Sequence, residues 1–421
     1  MRRQNRWRPL QDFTLPGSKR RRKTSKKKTR RKTSAKLEAK ETFSFEAPAR
    51  VTFGAGAVGA FPELIRGFGN RALVVSDPGI AKAGIVDRVL GFLRDASVSA
   101  DAFTNVEPNP SVETVEAAHA LYRKSDAGFV VSVGGGSSMD VAKVVAVLAA
   151  HGGSVRDYEG IGKVPGPVVP TVAIPTTAGT GSEVTVFAVI TDRQRKFKMT
   201  VGSPYLVPHV AICDPELSLS MPKSLTAATG MDALTHGIEC YINKVHNPIA
   251  KTLALESIRM IAAALRTAYN MGTDLQARST MLLGSTMAGM AFTRTRLGNV
   301  HAMSHPLGAF FDVPHGVANA ILLPYIMEWN LPFSRETYPH IAAAMGEPVA
   351  GLSPERAAEK AVDAVKRLSQ DVGIPERLRT VGVTRDAIPG MSQDAMKSGN
   401  VLVNPRPTTY EDIVQLFETA Y

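Results

Sequence analysis

Between residues 50 and 215, short apolar runs alternate with stretches of helical period, and this alternation constrains the fold more than any other feature of the chain. Arg50–Phe53, Ala72–Ser76, Ala100–Thr104, Phe129–Val133 and Thr171–Pro175 have the length and apolar character of strands. Residues 85–92, 112–123 and 138–150 have the pattern of helices lying between them. Strand–helix units in series need crossover connections, so the sheet is expected to be parallel with helices on its faces. After about residue 220 the strand signal ends. Leu225–Cys240, Ala250–Tyr269, Leu275–Met290, Gly316–Trp329 and Pro354–Leu368 all allow helices, punctuated by Pro and Gly. An α/β domain over 41–218 and an all-α domain over 219–421 are therefore expected, with the boundary near Pro215–Pro222.

The net charge of +12 is unevenly placed. Residues 1–40 hold 17 Lys and Arg against Asp12 and Glu38, a surplus of +15 that leaves 41–421 at −3. A segment so charged and so poor in apolar residues cannot offset its ordering entropy and is expected to be disordered. It could bind nucleic acid through counterion release, or be an incidental extension from a start assigned too early. No methionine separates Met1 from Met139, so a shorter product would need another start codon, near Leu37. The extension lacks the apolar core of a secretory signal. No apolar run approaches the ~18–20 residues of a membrane span, and two cysteines, Cys213 and Cys240, cannot build a disulfide framework. A cytoplasmic protein is expected.

Two glycine motifs compete as phosphate loops. Gly54-Ala55-Gly56-Ala57-Val58-Gly59 matches GxGxxG between a strand and a helical stretch, with Asp77 18 residues beyond Gly59. Gly134-Gly135-Gly136-Ser137-Ser138 also lies between strand and helix, where glycines admit a pyrophosphate and the helix supplies unpaired N–H groups. Pattern alone does not choose between them. Asp77 closes a strand, where a carboxylate can accept ribose hydroxyls and repel a 2′-phosphate, favouring NAD over NADP; its bland alternative is a turn residue before Pro78.

Asp232 and His236 have the i, i+4 spacing that puts two side chains on one helix face. His301, His305 and His315 follow on segments rich in Ala, Met and Gly. In such surroundings unpaired imidazoles and carboxylates are costly, which favours a shared divalent cation. Together with Gly134–Ser137, the run Ile174-Pro175-Thr176-Thr177-Ala178-Gly179-Thr180-Gly181-Ser182-Glu183-Val184-Thr185 and the segments 230–236 and 301–315, these motifs resemble the iron-containing alcohol dehydrogenases. The likeness is to the branch that includes lactaldehyde (propanediol) reductase, and it runs from about Phe45 to Tyr421.

The resemblance implies a Rossmann-like domain, a helical metal domain and a cleft between them. It implies metal ligation by Asp232, His236, His301 and His315, with ferrous iron usual and zinc possible, and makes His305 a non-ligating proton relay. Pyrophosphate is then expected on Gly135, Gly136 and Ser137, with Asp77 and Asn109 near the adenosine. Thr176, Thr177, Thr180, Thr185 and Lys196 would line the rest of the NAD site, and Gly54–Gly59 becomes a structural turn. The implied reaction is reversible hydride transfer between a short primary alcohol or diol and its aldehyde. Phe187 and Phe292 are expected to border the substrate pocket. Arg294, where a small polar residue is commoner, raises an anionic aldehyde as a second substrate class. The family is often dimeric or larger, so a homo-oligomer is expected. A polyol dehydrogenase or sugar-phosphate cyclase fits the ligand pattern less well, and nucleic-acid binding is confined to the tail.

Overall fold

The computed structural model describes residues 42–46, 49–195 and 197–421. The basic extension and Lys196 lie outside the described residues. Residues 43–421 form one compact unit.

The described residues hold nine strands: β1 Arg50–Phe53, β2 Arg71–Val75, β3 Ser99–Phe103, β4 Phe129–Gly134, β5 Gly160–Ile161, β6 Thr171–Pro175, β7 Phe187–Asp192, β8 Phe197–Gly202 and β9 Val210–Cys213. The first half carries helices α1 Phe61–Leu64, α2 Pro78–Lys82, α3 Ile85–Asp95, α4 Val112–Lys124 and α5 Gly136–His151. The second half is helical: α6 Lys223–Ile242, α7 Pro248–Asn270, α8 Leu275–Thr295, α9 Asn299–Phe311, α10 His315–Asn330, α11 Tyr338–Ala344, α12 Pro354–Asp371, α13 Ile388–Met396 and α14 Tyr410–Ala420. No helix among the described residues is long and apolar enough to cross a membrane.

The main sheet has the order β1-β9-β6-β4-β2-β3 and every pairing in it is parallel. Strand period divides its residues between two cores. Leu73 and Val75 of β2 join α4 and α5 through Val115, Val141 and Val145, while Ala72 and Val74 join α3 through Val86, Val89 and Leu93. After β3 the chain crosses to the far side of β2, so the carboxyl ends of β2 and β4 flank the switch in strand order. Open α/β sheets bind ligands at such a point.

The expected strand–helix series over 50–175 is present. The hairpin β7–β8, which pairs antiparallel and adds β5 as a third strand, was not foreseen, nor was β9 between β1 and β6. In β7 alternate residues are buried, but the run is followed by a charged turn and resembles a loop approach in the sequence alone. The last strand, β9, ends at Cys213 and α6 begins at Lys223. The helices pack around a third core, with Leu234, Ile258, Leu265, Met303 and Leu322 fully enclosed, and Ala178, Val184, Ala211 and Cys213 of the first half join it.

Candidate active site

A cleft of about 570 Å³ lies between the two halves, lined by Gly136 and Ser137 on one side and by Asp232, His236, His301, His305 and His315 on the other. Asp232 and His236 are one turn apart on α6, with Asp232 Oδ1 3.9 Å from His236 Nε2. The same oxygen is 3.7 Å from His301 Nε2 and 3.8 Å from His315 Nε2. His301 stands in the first turn of α9, and His315 begins α10. Asp232, His236 and His301 form a buried group whose donor atoms could bind one ion. His315, at 29 % side-chain exposure, faces them from the cleft side.

Asp232 Oδ1 is the common neighbour of the three imidazole Nε2 atoms. Asn319 places Nδ2 2.6 Å from Asp232 Oδ1, 3.0 Å from His301 Nε2 and 3.1 Å from His315 Nε2. The imidazoles are turned so that their other nitrogens face outer partners. His236 Nδ1 is 3.3 Å from the Gly179 carbonyl, and His301 Nδ1 is 2.6 Å from Glu239 Oε2. Such contacts fix the tautomer that leaves Nε2 as a ligand. An acid with three imidazole nitrogens around it fits iron or zinc by donor chemistry.

Burial and the neighbouring charges pull the titration of the cluster in opposite directions. Burial opposes ionisation of Asp232, yet His236, His315 and His301 hold its carboxyl well below the usual range. Burial also disfavours the His301 imidazolium, but Asp232 and Glu239 outweigh it and raise the pKa to about 9. His236 goes the other way, to about 4, chiefly through burial. His305, the expected relay, lines the cleft with its ring 5.6 Å from that of His315. Burial, then Lys198 and His301, push its pKa down to about 3, so it is neutral at pH 7.

Glu239 escaped the sequence analysis. It is fully buried on α6, and its second oxygen accepts the Val300 N–H at 2.6 Å, capping the start of α9. Gly298 admits it: a Cβ there would lie 2.8 Å from Glu239 Oε1. Its position one turn from His236 on the same helix was the available signal. Glu239→Gln is expected to weaken iron retention about 10- to 100-fold, by loosening the hold on His301. Dialysis against graded chelator, followed by metal analysis, checks this; unchanged retention would separate Glu239 from the metal centre.

On the opposite wall the two glycine motifs part ways. In the first, Asp214 accepts the N–H groups of Gly56 and Val58, each at 3.2 Å. A carboxylate of the protein itself fills that anion nest, and none of Gly54–Gly59 lines the cleft. In the second, Gly136 and Ser137 open α5 toward the cleft. A Cβ on Gly136 would lie 2.8 Å from Thr180 Cγ2, and one on Gly135 would lie 3.4 Å from the Thr177 side chain. The loop is thus a cradle walled by threonines. Beside it, Ser138 Oγ and Thr176 Oγ1 are buried with no hydrogen-bond partner among the described residues, which fits a site built for a polar ligand.

Asp77 takes the capping role of a turn residue before Pro78 and does not itself line the cleft. One oxygen caps α2 by accepting the Ile80 N–H at 3.0 Å, and the other would lie 3.2 Å from a Cβ on Gly134. Thr185 lines the cleft, held by the buried Lys143, whose Nζ donates to Ser182 Oγ, Thr185 O, Thr185 Oγ1 and Phe187 O at 2.8–3.1 Å. A lysine inside the apolar run of α5 was the missed signal. Asn109 lines the cleft mouth, where it accepts from Lys198 Nζ at 2.7 Å and donates to Asp312 Oδ1 at 2.8 Å. Lys196, the expected cleft lysine, is outside the described residues. Lys198 of β8 lines the cleft, its pKa lowered to about 8 by burial against the pull of Asp312 and Asp140.

Phe187 and Phe292 border the pocket as expected, and Phe292 stacks on His236 at 4.6 Å. Arg294 does not. Its guanidinium donates to the Glu46 carbonyl at 2.8 Å and pairs with the Glu46 carboxylate at 3.3 Å, beside a separate small cavity. The anionic-substrate expectation attached to Arg294 therefore loses its residue. The arginine that does line the main cleft is Arg296.

A cation seat facing a dinucleotide cradle across a cleft defines the class: a metal-dependent oxidoreductase. Comparison with known proteins narrows it. Residues 48–215 match the family "Iron-containing alcohol dehydrogenase", and 226–421 match "Fe-containing alcohol dehydrogenase family, C-terminal". The chain is 44% identical over 382 residues to the 1,3-propanediol dehydrogenase of Klebsiella pneumoniae, covering 90% of this chain and 99% of that one. It is 42% identical over 372 residues to the lactaldehyde reductase of Escherichia coli K12, covering 88% and 97%. A crystal structure of 1,3-propanediol oxidoreductase superposes with a TM-score of 0.88 at 43% identity, covering 90% of this chain and 100% of that one. The chain belongs to the iron-containing alcohol dehydrogenase family, in the branch of the propanediol and lactaldehyde enzymes.

Proposed function

We propose that the protein interconverts a short primary alcohol or diol and its aldehyde with NAD as the hydride partner. The single observation that carries this reading is the gathering of the His236, His301 and His315 Nε2 atoms within 4 Å of Asp232 Oδ1, in a cleft that Gly136 and Ser137 also line. When bound, a ferrous ion (or zinc) supplies Lewis acidity toward the substrate oxygen and the nicotinamide carries the hydride. Asp232 brings the one formal negative charge and the imidazoles bring neutral donors, with Glu239 and the Gly179 carbonyl holding two rings in register. Gly135, Gly136 and Ser137 present the amino end of α5 to the pyrophosphate, and Thr176, Thr177, Thr180 and Thr185 wall the cofactor. Phe187 and Phe292 exclude water from the reacting carbons and leave room for a short chain. In this reading His305, which lines the cleft beside His315, serves as the relay that carries the hydroxyl proton toward the cleft mouth. Assembly as a homo-oligomer belongs to the same reading and is checked by sedimentation.

The deciding experiment loads the purified protein with iron or zinc and follows NADH formation across short alcohols and diols. Turnover that tracks metal content supports the reading, and turnover in fully chelated enzyme would reject it. Asp77→Gly tests the cofactor assignment. Glycine costs the α2 cap only a few tenths of a kcal/mol, whereas removing the carboxylate lifts its repulsion of a 2′-phosphate. The ratio of kcat/KM for NADP over NAD is expected to rise at least about tenfold, a change of ~1.4 kcal/mol. An unchanged ratio would confine Asp77 to helix capping.

A further inference from the structure

We infer that Arg296 forms a subsite for a terminal anionic group on the substrate, so that the preferred substrates include short aldehydes and alcohols carrying a carboxylate at the far end. This rests on the dehydrogenase reading above and deepens it. Arg296 lines the cleft with Phe187, Phe292 and Leu297, the residues that face the substrate's carbon chain. Its backbone is unusual. At φ 64° and ψ −168° it occupies a region otherwise nearly reserved for glycine. The strain is held from several sides: Asn243 Nδ2 donates to the carbonyls of Thr295 and Arg296 at 3.1 and 3.0 Å, Thr295 Oγ1 donates to the Arg296 carbonyl at 3.0 Å, and Asn400 Oδ1 accepts the Leu297 N–H at 3.4 Å. These bonds stop α8 at Thr295 and set the next side chain, which is solvent-exposed, along the lining of the cleft. Across from it, Gly399 leaves space, since a Cβ there would lie 2.5 Å from Arg296 Nη1.

Charge bookkeeping around the cleft isolates this guanidinium. Lys397 pairs with Asp394, and Lys198 is engaged with Asn109. The cleft acids Glu159 and Asp140 are taken by Arg195 and by Ser182 with Val189 N–H. Among the described residues the Arg296 guanidinium makes no hydrogen bond or ion pair. A planar fork of donors, carried on a fixed backbone at the pocket lining and left without an acceptor, matches a carboxylate in the bidentate manner. In the oxidative direction an ω-hydroxy acid would lose hydride to NAD and its hydroxyl proton to solvent, giving the semialdehyde and NADH. The carboxylate takes no part in the chemistry and serves as an anchor.

The test compares matched pairs on iron-loaded enzyme with saturating NAD: 4-hydroxybutyrate against 1,4-butanediol, and 3-hydroxypropionate against 1,3-propanediol. The ratio of kcat/KM, acid over diol, is expected to fall about 10- to 100-fold in Arg296→Met, the effect of losing a charged hydrogen bond, and to fall less in Arg296→Lys. Butyrate should inhibit wild-type diol oxidation competitively, giving a readout that needs no variant, and propane-1-sulfonate in parallel asks whether the anion's shape matters. If acid and diol lose activity equally in Arg296→Met, or KM for NAD rises instead, the guanidinium serves the cofactor or the fold and the subsite is overturned. Oxidation of diols with neither acid turnover nor butyrate inhibition overturns the subsite and leaves the dehydrogenase reading standing. Failure of iron-loaded enzyme on every alcohol removes both.

Discussion

His301→Ala is expected to abolish metal retention and turnover together, with kcat/KM for the preferred alcohol falling a thousandfold or more, about 4 kcal/mol of barrier. His301 is the residue through which the cluster is organised. Its Nε2 faces Asp232, its Nδ1 is tied to Glu239, and its ring stacks on His236 at 4.6 Å. Removing it takes away one donor and releases the restraint on two others. Metal analysis after desalting, the alcohol assay and NADH fluorescence titration separate the possible causes. NADH binding should persist, because the cradle at the start of α5 makes no use of His301. An active, metal-free His301→Ala enzyme would sink the assignment.

Lys143→Met is expected to lower stability by about 3–5 kcal/mol, the cost of stripping a buried charge from its partners. The ammonium is fully enclosed and its four hydrogen bonds knit α5 to the segment that precedes and opens β7. Burial lowers its pKa to about 8, while Asp140 and Glu183 hold it up, so those two acids depend on it as counter-charge. Methionine fills the volume and leaves the Thr185 and Phe187 carbonyls without their donor. Urea unfolding should show an earlier midpoint. Because Thr185 and Phe187 line the cleft, KM for the dinucleotide should rise in the fraction that folds. An unchanged midpoint would show that the network is dispensable.

What the sequence made legible was local. Asp232 and His236 announce themselves by helical spacing, and three histidines within fifteen residues of apolar chain need little else. The strand series up to β6 follows from runs of Val and Ile between turn residues. Illegible were partnerships closed across long stretches of chain. Nothing near Gly54–Gly59 reveals that Asp214, over 150 residues on, would occupy its amides, and so a good local match to GxGxxG is spent inside the fold. Glu239 reaches His301 across 62 residues, and Lys143 reaches Thr185 across 42. Arg294 and Arg296 show the angular version of the same limit. Two residues of helix turn a side chain by about 200°, so a choice between neighbours needs to know where α8 ends. The charge surplus of the first forty residues, legible as a composition, falls outside the described residues.

Asn109 and Asp312 come from opposite walls of the cleft, both at φ 54°, and meet in one bond with Lys198 behind them. Asn and Asp tolerate that left-handed backbone better than other side chains, so each wall offers a short, stiff finger rather than a floppy loop. Exposed hydrogen bonds of this kind add little net stability. The edge of the cleft at Asn109 is consequently spanned by one exposed contact between two stiff fingers, a link that can part at little cost to the fold.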